Sequence, residues 1–145
     1  MVLCIQNAKE YVNLLSSQPN HRTMLNSINN LGKWLFIIPF AAFGIIHFIN
    51  ADKMMDIVPL AGGPFWVYLT GIAELAFAAS VILGKWDKLA AMLCALMLLL
   101  YVFLIHAPGL NMYETAAGNL LKDLGLAGGA LMYAKAFAKD NSIVG

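Results

Sequence analysis

The chain of 145 residues has a formal net charge of +1, with 61% hydrophobic and 12% charged residues. Ordinary soluble domains are about half apolar and roughly a quarter charged, so this composition predicts one domain in a lipid bilayer. No basic stripe is available to track phosphates, which argues against a nucleic-acid partner. Cys4 and Cys94 form no CxxC pair, and neither a disulfide framework nor a thioredoxin-like site is predicted.

Residues 1–31 form a segment of different character at the start of the chain. They lack the basic start, apolar stretch and cleavage site of a secretory signal. In "TMLNSINNL", Met24, Ile28 and Leu31 share one helical face. This pattern predicts a short helix on the cytoplasmic membrane interface, with a partly ordered tail as the alternative.

Four long apolar runs follow within residues 32–140. Crossing the hydrocarbon core takes about 20 mainly apolar residues, and four segments approach that length: Trp34–Ala51, Phe65–Leu83, Leu89–Ala107 and Ala117–Ala138. The fourth is the weakest, because Lys122 and Asp123 lie near its start. Short connections imply antiparallel neighbours, so we predict an all-α, integral-membrane, up-down four-helix bundle.

The distribution of lysine and arginine predicts the orientation of these spans. With the N-terminus in the cytoplasm, Lys53 alone lies in an outer loop, and Lys122 lies inside a span. The cytoplasmic side then holds Lys9, Arg22, Lys33, Lys85, Lys88, Lys135 and Lys139. This bias follows the positive-inside rule and predicts a multi-pass, N-in/C-in protein of a bacterial-type inner (cytoplasmic) membrane.

Five ionisable residues fall in the outer half of the predicted bundle. With ~1.5 Å of rise per residue, Glu74 lies ~13 Å from the outer face, Lys122 and Asp123 ~8–9 Å and His47 ~6 Å, while His106 is at the rim. Helical Cα–Cβ bonds tilt toward the helix N-terminus, so deep residues reach outward and shallow ones inward. We therefore predict a common polar pocket open to the outer face.

The cost of burying charge supports that pocket. A charged side chain at the centre of a span costs roughly 2.5–3.5 kcal/mol, so Glu74 should face protein or water rather than lipid. It either pairs with Lys122 or stays protonated. Thr70, one turn earlier, is placed to donate a hydrogen bond to it, and Asn119 extends the polar face of Asp123.

Structural alternatives exist for each of these residues. Glu74 and Lys122 could be a buried ion pair that fixes helix register. His47 could simply hydrogen-bond a backbone carbonyl, and His106 beside Pro108 could mark the interface. No metal site is predicted, because no ligand pair shows a zinc-helix spacing such as HExxH.

Three pieces of the chain together resemble the DoxX-like family of small four-helix membrane proteins. They are "FGIIHF", "VPLAGGPFWVYLTGIAELAFAASVIL" and "NLLKDLGLAGGALMYA", within the region from Trp34 to Ala138. The resemblance implies a link to quinone-coupled redox chemistry or to membrane redox complexes. It also places His47, Glu74, Lys122 and Asp123 on the family's polar motif positions.

Three functions are therefore open. In the first, the protein is a redox-associated membrane subunit whose pocket takes a quinone or similar hydrophobic molecule. Glu74 and His47 then relay protons and Lys122 sets the pKa of the acid. Asp123 lies beside them, and Thr70, His106 and Asn119 contact the ligand. In the second, it is a small membrane enzyme performing acid–base chemistry on a hydrophobic substrate. In the third, it is a structural or assembly subunit. The expected partners are the bilayer, the small molecule, and another redox subunit or a second copy of the chain.

Overall fold

The computed structural model describes residues 6–7, 10, 20–58 and 62–145, with side chains described outside 20–30 and 57. The chain divides into two compact units, Met1–Leu35 and Phe36–Gly145. Every side-chain contact considered below lies in the second unit. The predicted interfacial face of Met24 and Ile28 lies outside the described side chains.

The described part of the chain is all-helical, and helices cover most of each of the four predicted spans. The helices are α1 (Asn20–Ile49), α2 (Ala51–Met54), α3 (Pro64–Leu83), α4 (Asp87–Tyr101) and α5 (Ala116–Ala136). Two 3₁₀ turns (Met55–Ile57 and Pro108–Asn111) and a π-helical turn (Val102–His106) lie between them. No strand occurs among the described residues.

The ends of α3 follow from its sequence. Pro64 occupies the first turn, where a missing N–H costs nothing and the fixed φ suits a helix. At the other end Gly84 adopts φ 67° and its N–H donates to the carbonyl of Ser80. This left-handed residue ends the helix in the manner typical of glycine.

Three segments are long and apolar enough to cross a membrane, by length and composition: Leu31–Ile49, Pro64–Leu83 and Asp87–Asn111. They identify the chain as a membrane protein. Helix α5 is as long, but it is less apolar and carries Lys122 and Asp123. The four long helices α1, α3, α4 and α5 nevertheless leave large apolar side chains exposed. Ile49, Leu83 and Met132 are each exposed to 70% or more.

Aromatic rings and small residues hold the helices together. Phe36 and Phe40 of α1 pack edge-to-face on Phe77 of α3, and Phe36 also stacks on Tyr133 of α5. The edge of the Phe36 ring reaches Gly129, where a Cβ would lie 2.8 Å from it. Gly125, one helical turn before Gly129, makes no such contact, since a Cβ there would meet no atom of the described residues within 4 Å.

A buried carboxylate joins the start of α4 to the segment after α5. Asp87 is fully buried and accepts hydrogen bonds from the Tyr133 hydroxyl at 2.8 Å and from the backbone N–H groups of Lys139 and Asp140 at 2.9 Å. Asp140 in turn accepts from the N–H of Trp86 at 2.8 Å. The sequence analysis assigned Asp87 no role, although it fixes the C-terminal segment against α4.

Candidate ligand-binding site

The site begins where α1 and α3 touch through two glycines. A Cβ on Gly44 would lie 3.1 Å from the carbonyl oxygen of Gly71, and a Cβ on Gly71 would lie 3.0 Å from that of Gly44. His47 and Glu74 each follow one of these glycines by three residues. Because helical side chains tilt toward their own N-terminus, both lean back toward the contact.

His47 and Glu74 meet there. The His47 Nδ1 atom lies 3.1 Å from Glu74 Oε2 and 2.8 Å from the Phe43 carbonyl oxygen. Because a carbonyl oxygen can only accept, Nδ1 carries a hydrogen and donates it to Phe43. His47 therefore makes the hydrogen bond to a backbone carbonyl that the sequence analysis considered, but this bond uses only one of its two ring nitrogens. Nε2 has no hydrogen-bond partner among the described residues.

Glu74 is an incompletely satisfied buried acid. Its side chain is 6% exposed, and Oε2 accepts no well-aligned hydrogen bond from any described residue. The 3.1 Å approach of His47 supplies charge complementarity if the ring is protonated, but the Nδ1 hydrogen points at Phe43. A buried polar oxygen without a donor is costly, so this oxygen is suited to receive a donor from a bound molecule.

A π-helical turn at the end of α4 presents the second histidine. Its wider ring brings the backbone N–H of Ala107 to the carbonyl of Val102 at 2.8 Å. Ile105 and His106, consecutive in sequence, both reach the same cavity as a result. Such turns are frequent at functional sites.

His106 links a tyrosine to a buried carboxylate. Its Nε2 lies 3.0 Å from Asp123 Oδ2, and its Nδ1 lies 2.8 Å from the Tyr113 hydroxyl. With Asp123 ionised, Nε2–H donates to the carboxylate, and Nδ1 accepts from the tyrosine O–H. His106 therefore does more than mark the membrane interface.

Lys122 does not pair with Glu74. The sequence analysis had offered this pairing and protonation as the two possible states of Glu74, and the structure corrects the first. The Lys122 Nζ lies 3.2 Å from Asp123 Oδ1 and 4.3 Å from the centre of the Phe43 ring. The side chain is 38% exposed, because its long apolar stem lets the ammonium group leave the apolar wall. His47, held next to Glu74 by the glycine contact, takes the place predicted for the lysine.

Thr70 likewise has partners other than the predicted one. Its hydroxyl donates to the Trp66 carbonyl at 2.8 Å, so it accepts the hydrogen bond that joins it to the Tyr101 hydroxyl. It has no hydrogen to give to Glu74. Thr70 and Tyr101 instead place two polar oxygens on the same wall.

These side chains surround one cavity of about 240 Å³. Its remaining wall is largely apolar, with Phe43, Ile46, Val67, Leu98 and Ile105. All seven residues that the sequence analysis selected line it: His47, Thr70, Glu74, His106, Asn119, Lys122 and Asp123. Their proposed roles stay predictions.

Two tyrosines were missed. Tyr101 lines the cavity and Tyr113 contacts His106. Tyr101 precedes His106 by five residues, which regular α-helical geometry places on different faces. The π turn that brings them together has no sequence signal, and Tyr113 lies in a loop where periodicity predicts nothing.

No group of three or more His, Cys, Asp or Glu side chains among the described residues is arranged to hold a metal ion. The site is instead an apolar-walled cavity with a few converging polar groups, the usual form of a small-molecule site. The fold and the site together define a helical membrane protein with a polar-ended internal cavity.

The chain belongs to the family described as "Domain of unknown function (DUF8561)", whose family model matches residues 37–117. That range includes His47, Glu74, His106 and Tyr113, whereas Lys122 and Asp123 lie beyond it. No curated protein matches the chain, and no solved structure matches it. The family description carries no activity, so the resemblance to the DoxX-like family stays a prediction.

Proposed function

We propose that this protein binds a quinone or a similar ring compound with hydrogen-bonding groups in its cavity and exchanges protons with it. In this role it serves as a redox-associated membrane subunit. The observation that carries the proposal is Glu74, a buried carboxyl group on the cavity wall whose Oε2 atom accepts no well-aligned hydrogen bond from the described part of the chain. The DoxX-like resemblance supports the redox association, with the electrons passing to or from a separate membrane partner.

The size and lining of the cavity support a single-ring head group. A cavity of about 150 Å³ is enough for benzene, and this one measures about 240 Å³. A ring with an O–H group could donate to Glu74, and a ring carbonyl could accept from the ammonium group of Lys122. A hydrophobic tail would have to leave between the exposed side chains at the rim, such as Ile46 and Trp66.

We further propose that α1, α3, α4 with its π turn, and α5 form an up-down bundle in a bacterial-type inner membrane, with both termini cytoplasmic. The bias of lysine and arginine supports this arrangement. Exposed Leu121, Leu124, Leu131 and Met132 give α5 an apolar surface despite its charges. The cavity then opens toward the outer side.

The test is ligand retention and titration. The protein is purified in detergent, co-purifying lipids are identified by mass spectrometry, and a short-chain benzoquinone and its hydroquinone are titrated separately. We expect the hydroquinone to bind, and Glu74→Gln to weaken its binding about tenfold while leaving the fold intact, since an amide keeps the shape but accepts less strongly. Glu114→Gln, at an exposed loop position, is the matched control. A Glu74→Gln protein with unchanged affinity, or a wild type that binds neither probe, contradicts the proposal.

A second candidate is a membrane enzyme that performs acid–base chemistry. The chain of contacts from Tyr113 through His106 to Asp123 favours it, because a histidine held between a carboxylate and a hydroxyl is a common proton-transfer arrangement. A retained apolar metabolite other than a quinone, converted by the wild type and not by Asp123→Asn, would support this candidate.

A further inference from the structure

Tyr113 contacts His106, which lines the cavity, and is itself partly exposed at the surface of the protein. It belongs to the loop that joins the 3₁₀ turn after α4 to the start of α5, and it is half-buried. The next residue, Glu114, is exposed, and a charged side chain at the end of a span must reach water or head groups. Tyr113 therefore connects an exposed loop to the ring of His106, whose side chain is only 12% exposed.

The backbone is shaped to hold this tyrosine. A Cβ on Gly109 would lie 2.2 Å from Tyr113 Cε1 and 2.9 Å from its hydroxyl oxygen. No side chain larger than hydrogen fits there while the ring stays in place. Gly109 is itself buried, so the ring lies directly on the backbone.

We propose that Tyr113, His106 and Asp123 form a proton path between the aqueous surface at the 107–115 loop and the cavity. The proton of the Tyr113 hydroxyl passes to His106 Nδ1, the Nε2 proton passes to Asp123 Oδ2, and Tyr113 regains a proton from water. One proton is transferred inward and no electron moves. The use of that proton by a bound quinone or quinol rests on the proposed function, whereas the path itself does not.

The contacts satisfy the requirements of such a path. Both links are of hydrogen-bond length, 2.8 Å and 3.0 Å, and each group can donate and accept in turn. Among the described residues, the charged or titratable groups near the path include Glu114, which follows Tyr113 in the chain, and Lys122, at 3.2 Å from Asp123. Tyr101 and the His47–Glu74 pair also line the cavity. The pair on α1 and α3 has no described contact with Tyr113, so the two sets serve the cavity separately.

The protonation of Tyr113 is consistent with this role. Burial and the charge of Asp123 raise the pKa of the Tyr113 hydroxyl above its ordinary value of 10.0. The group therefore keeps its proton at neutral pH. A neutral hydroxyl can pass on one proton while taking up another, which a tyrosinate held by a counter-ion cannot do as readily.

The test measures exchange of the His106 ring proton with water. The chain has three histidines, so ¹⁵N-histidine labelling gives few signals, and loss of one signal in His106→Gln assigns it. In Tyr113→Phe we expect the Nε2 proton to exchange about tenfold more slowly, because the phenyl ring fills the route and cannot carry a proton. Tyr68→Phe, at an exposed position outside the cavity lining, is the matched control and should leave the rate unchanged.

A purely positioning role predicts the opposite change. If Tyr113 merely holds His106 in place, loss of the hydroxyl loosens the ring and speeds exchange. Gly109→Ala provides a second variant, since it displaces the tyrosine ring and keeps the hydroxyl; it should slow exchange as well. Unchanged or faster exchange in both variants overturns the path. The exchange experiment uses protein without added ligand, so it is independent of quinone binding. Slower exchange in a protein that binds no quinone would therefore support the proton path and contradict the proposed quinone ligand.

Discussion

Gly44 and Gly71 face each other so closely that a Cβ on either would lie 3.1 Å or 3.0 Å from the other's carbonyl oxygen. This contact sets the separation of α1 and α3 at the level of the cavity. His47 and Glu74 lie three residues further along their helices and meet at 3.1 Å. The contact between His47 and Glu74 is therefore a consequence of two residues that carry no functional group.

Gly44→Ala should destabilise the protein by about 1–3 kcal/mol, the usual cost of overpacking a tight contact. The new methyl group would lie 2.7 Å from Leu75 Cγ and 3.1 Å from the Gly71 carbonyl oxygen, and backbone cannot easily yield. Unfolding in detergent is the measurement. Gly128→Ala is the control, because a Cβ there meets nothing within 4 Å and alanine favours a helix. Equal stability of the two variants would contradict the contact.

Stability coupling distinguishes the observed partner of Glu74 from the predicted one. A double-mutant cycle of Glu74→Leu with His47→Leu should give a coupling above about 0.5 kcal/mol, because the two residues are in contact. The cycle of Glu74→Leu with Lys122→Met should give less, since Lys122 lies against Asp123. The free energy of unfolding is measured for each single and double variant. The reverse ranking would restore the Glu74–Lys122 pair.

Asp87→Ala should cost about 3 kcal/mol or more, because it leaves the Tyr133 hydroxyl and the N–H groups of Lys139 and Asp140 without their acceptor. Tyr133→Phe removes one of these donors and should cost about 1 kcal/mol. Unfolding in detergent and protease cleavage after residue 136 report the loss. Asp52→Ala, at an exposed position, is the control; if it costs as much as Asp87→Ala, the burial of Asp87 is irrelevant.

Asp140 should titrate with a pKa of about 2, below its ordinary 3.8. Hydrogen bonds from the Ser142 hydroxyl, from the Trp86 N–H and from the Ser142 N–H stabilise its ionised form. A lowered folded-state pKa means that the stabilisation is complete above pH 3.8 and is lost as the pH falls toward 2. The ¹³C signal of the carboxyl group reports the midpoint, which Ser142→Ala should move upward. A midpoint near 3.8 in the wild type would exclude these bonds.

Impermeant thiol labelling in intact cells tests the proposed orientation. Single cysteines are placed at Met112 and Lys139, both exposed, in a variant that lacks Cys4 and Cys94. With both termini in the cytoplasm, position 112 should react and position 139 should not. After the cells are broken, both should react, which controls for buried thiols. Labelling of 139 alone in intact cells would reverse the orientation.

The sequence by itself determined that the chain is helical and that three of its helices are long and apolar enough to cross a membrane. Runs of about 20 apolar residues have few alternatives in a bilayer, where every backbone group must be satisfied within its own segment. The sequence also selected the side chains of the site, because polar groups at membrane depth must converge on one another. All seven selected residues line the cavity.

The pairing of those side chains was decided by the tertiary structure. Depth estimated from helical rise placed Lys122 nearer than His47 to the level of Glu74 and so favoured the lysine as its partner. The choice between them came from the Gly44–Gly71 contact and from the flexible lysine stem that carries its charge to the rim. The position of Tyr113 depended on the π turn that ends at His106 and on Gly109, whose missing side chain leaves room for the tyrosine ring. Both are properties of the backbone in contact with other segments, and residue periodicity along one helix cannot encode them.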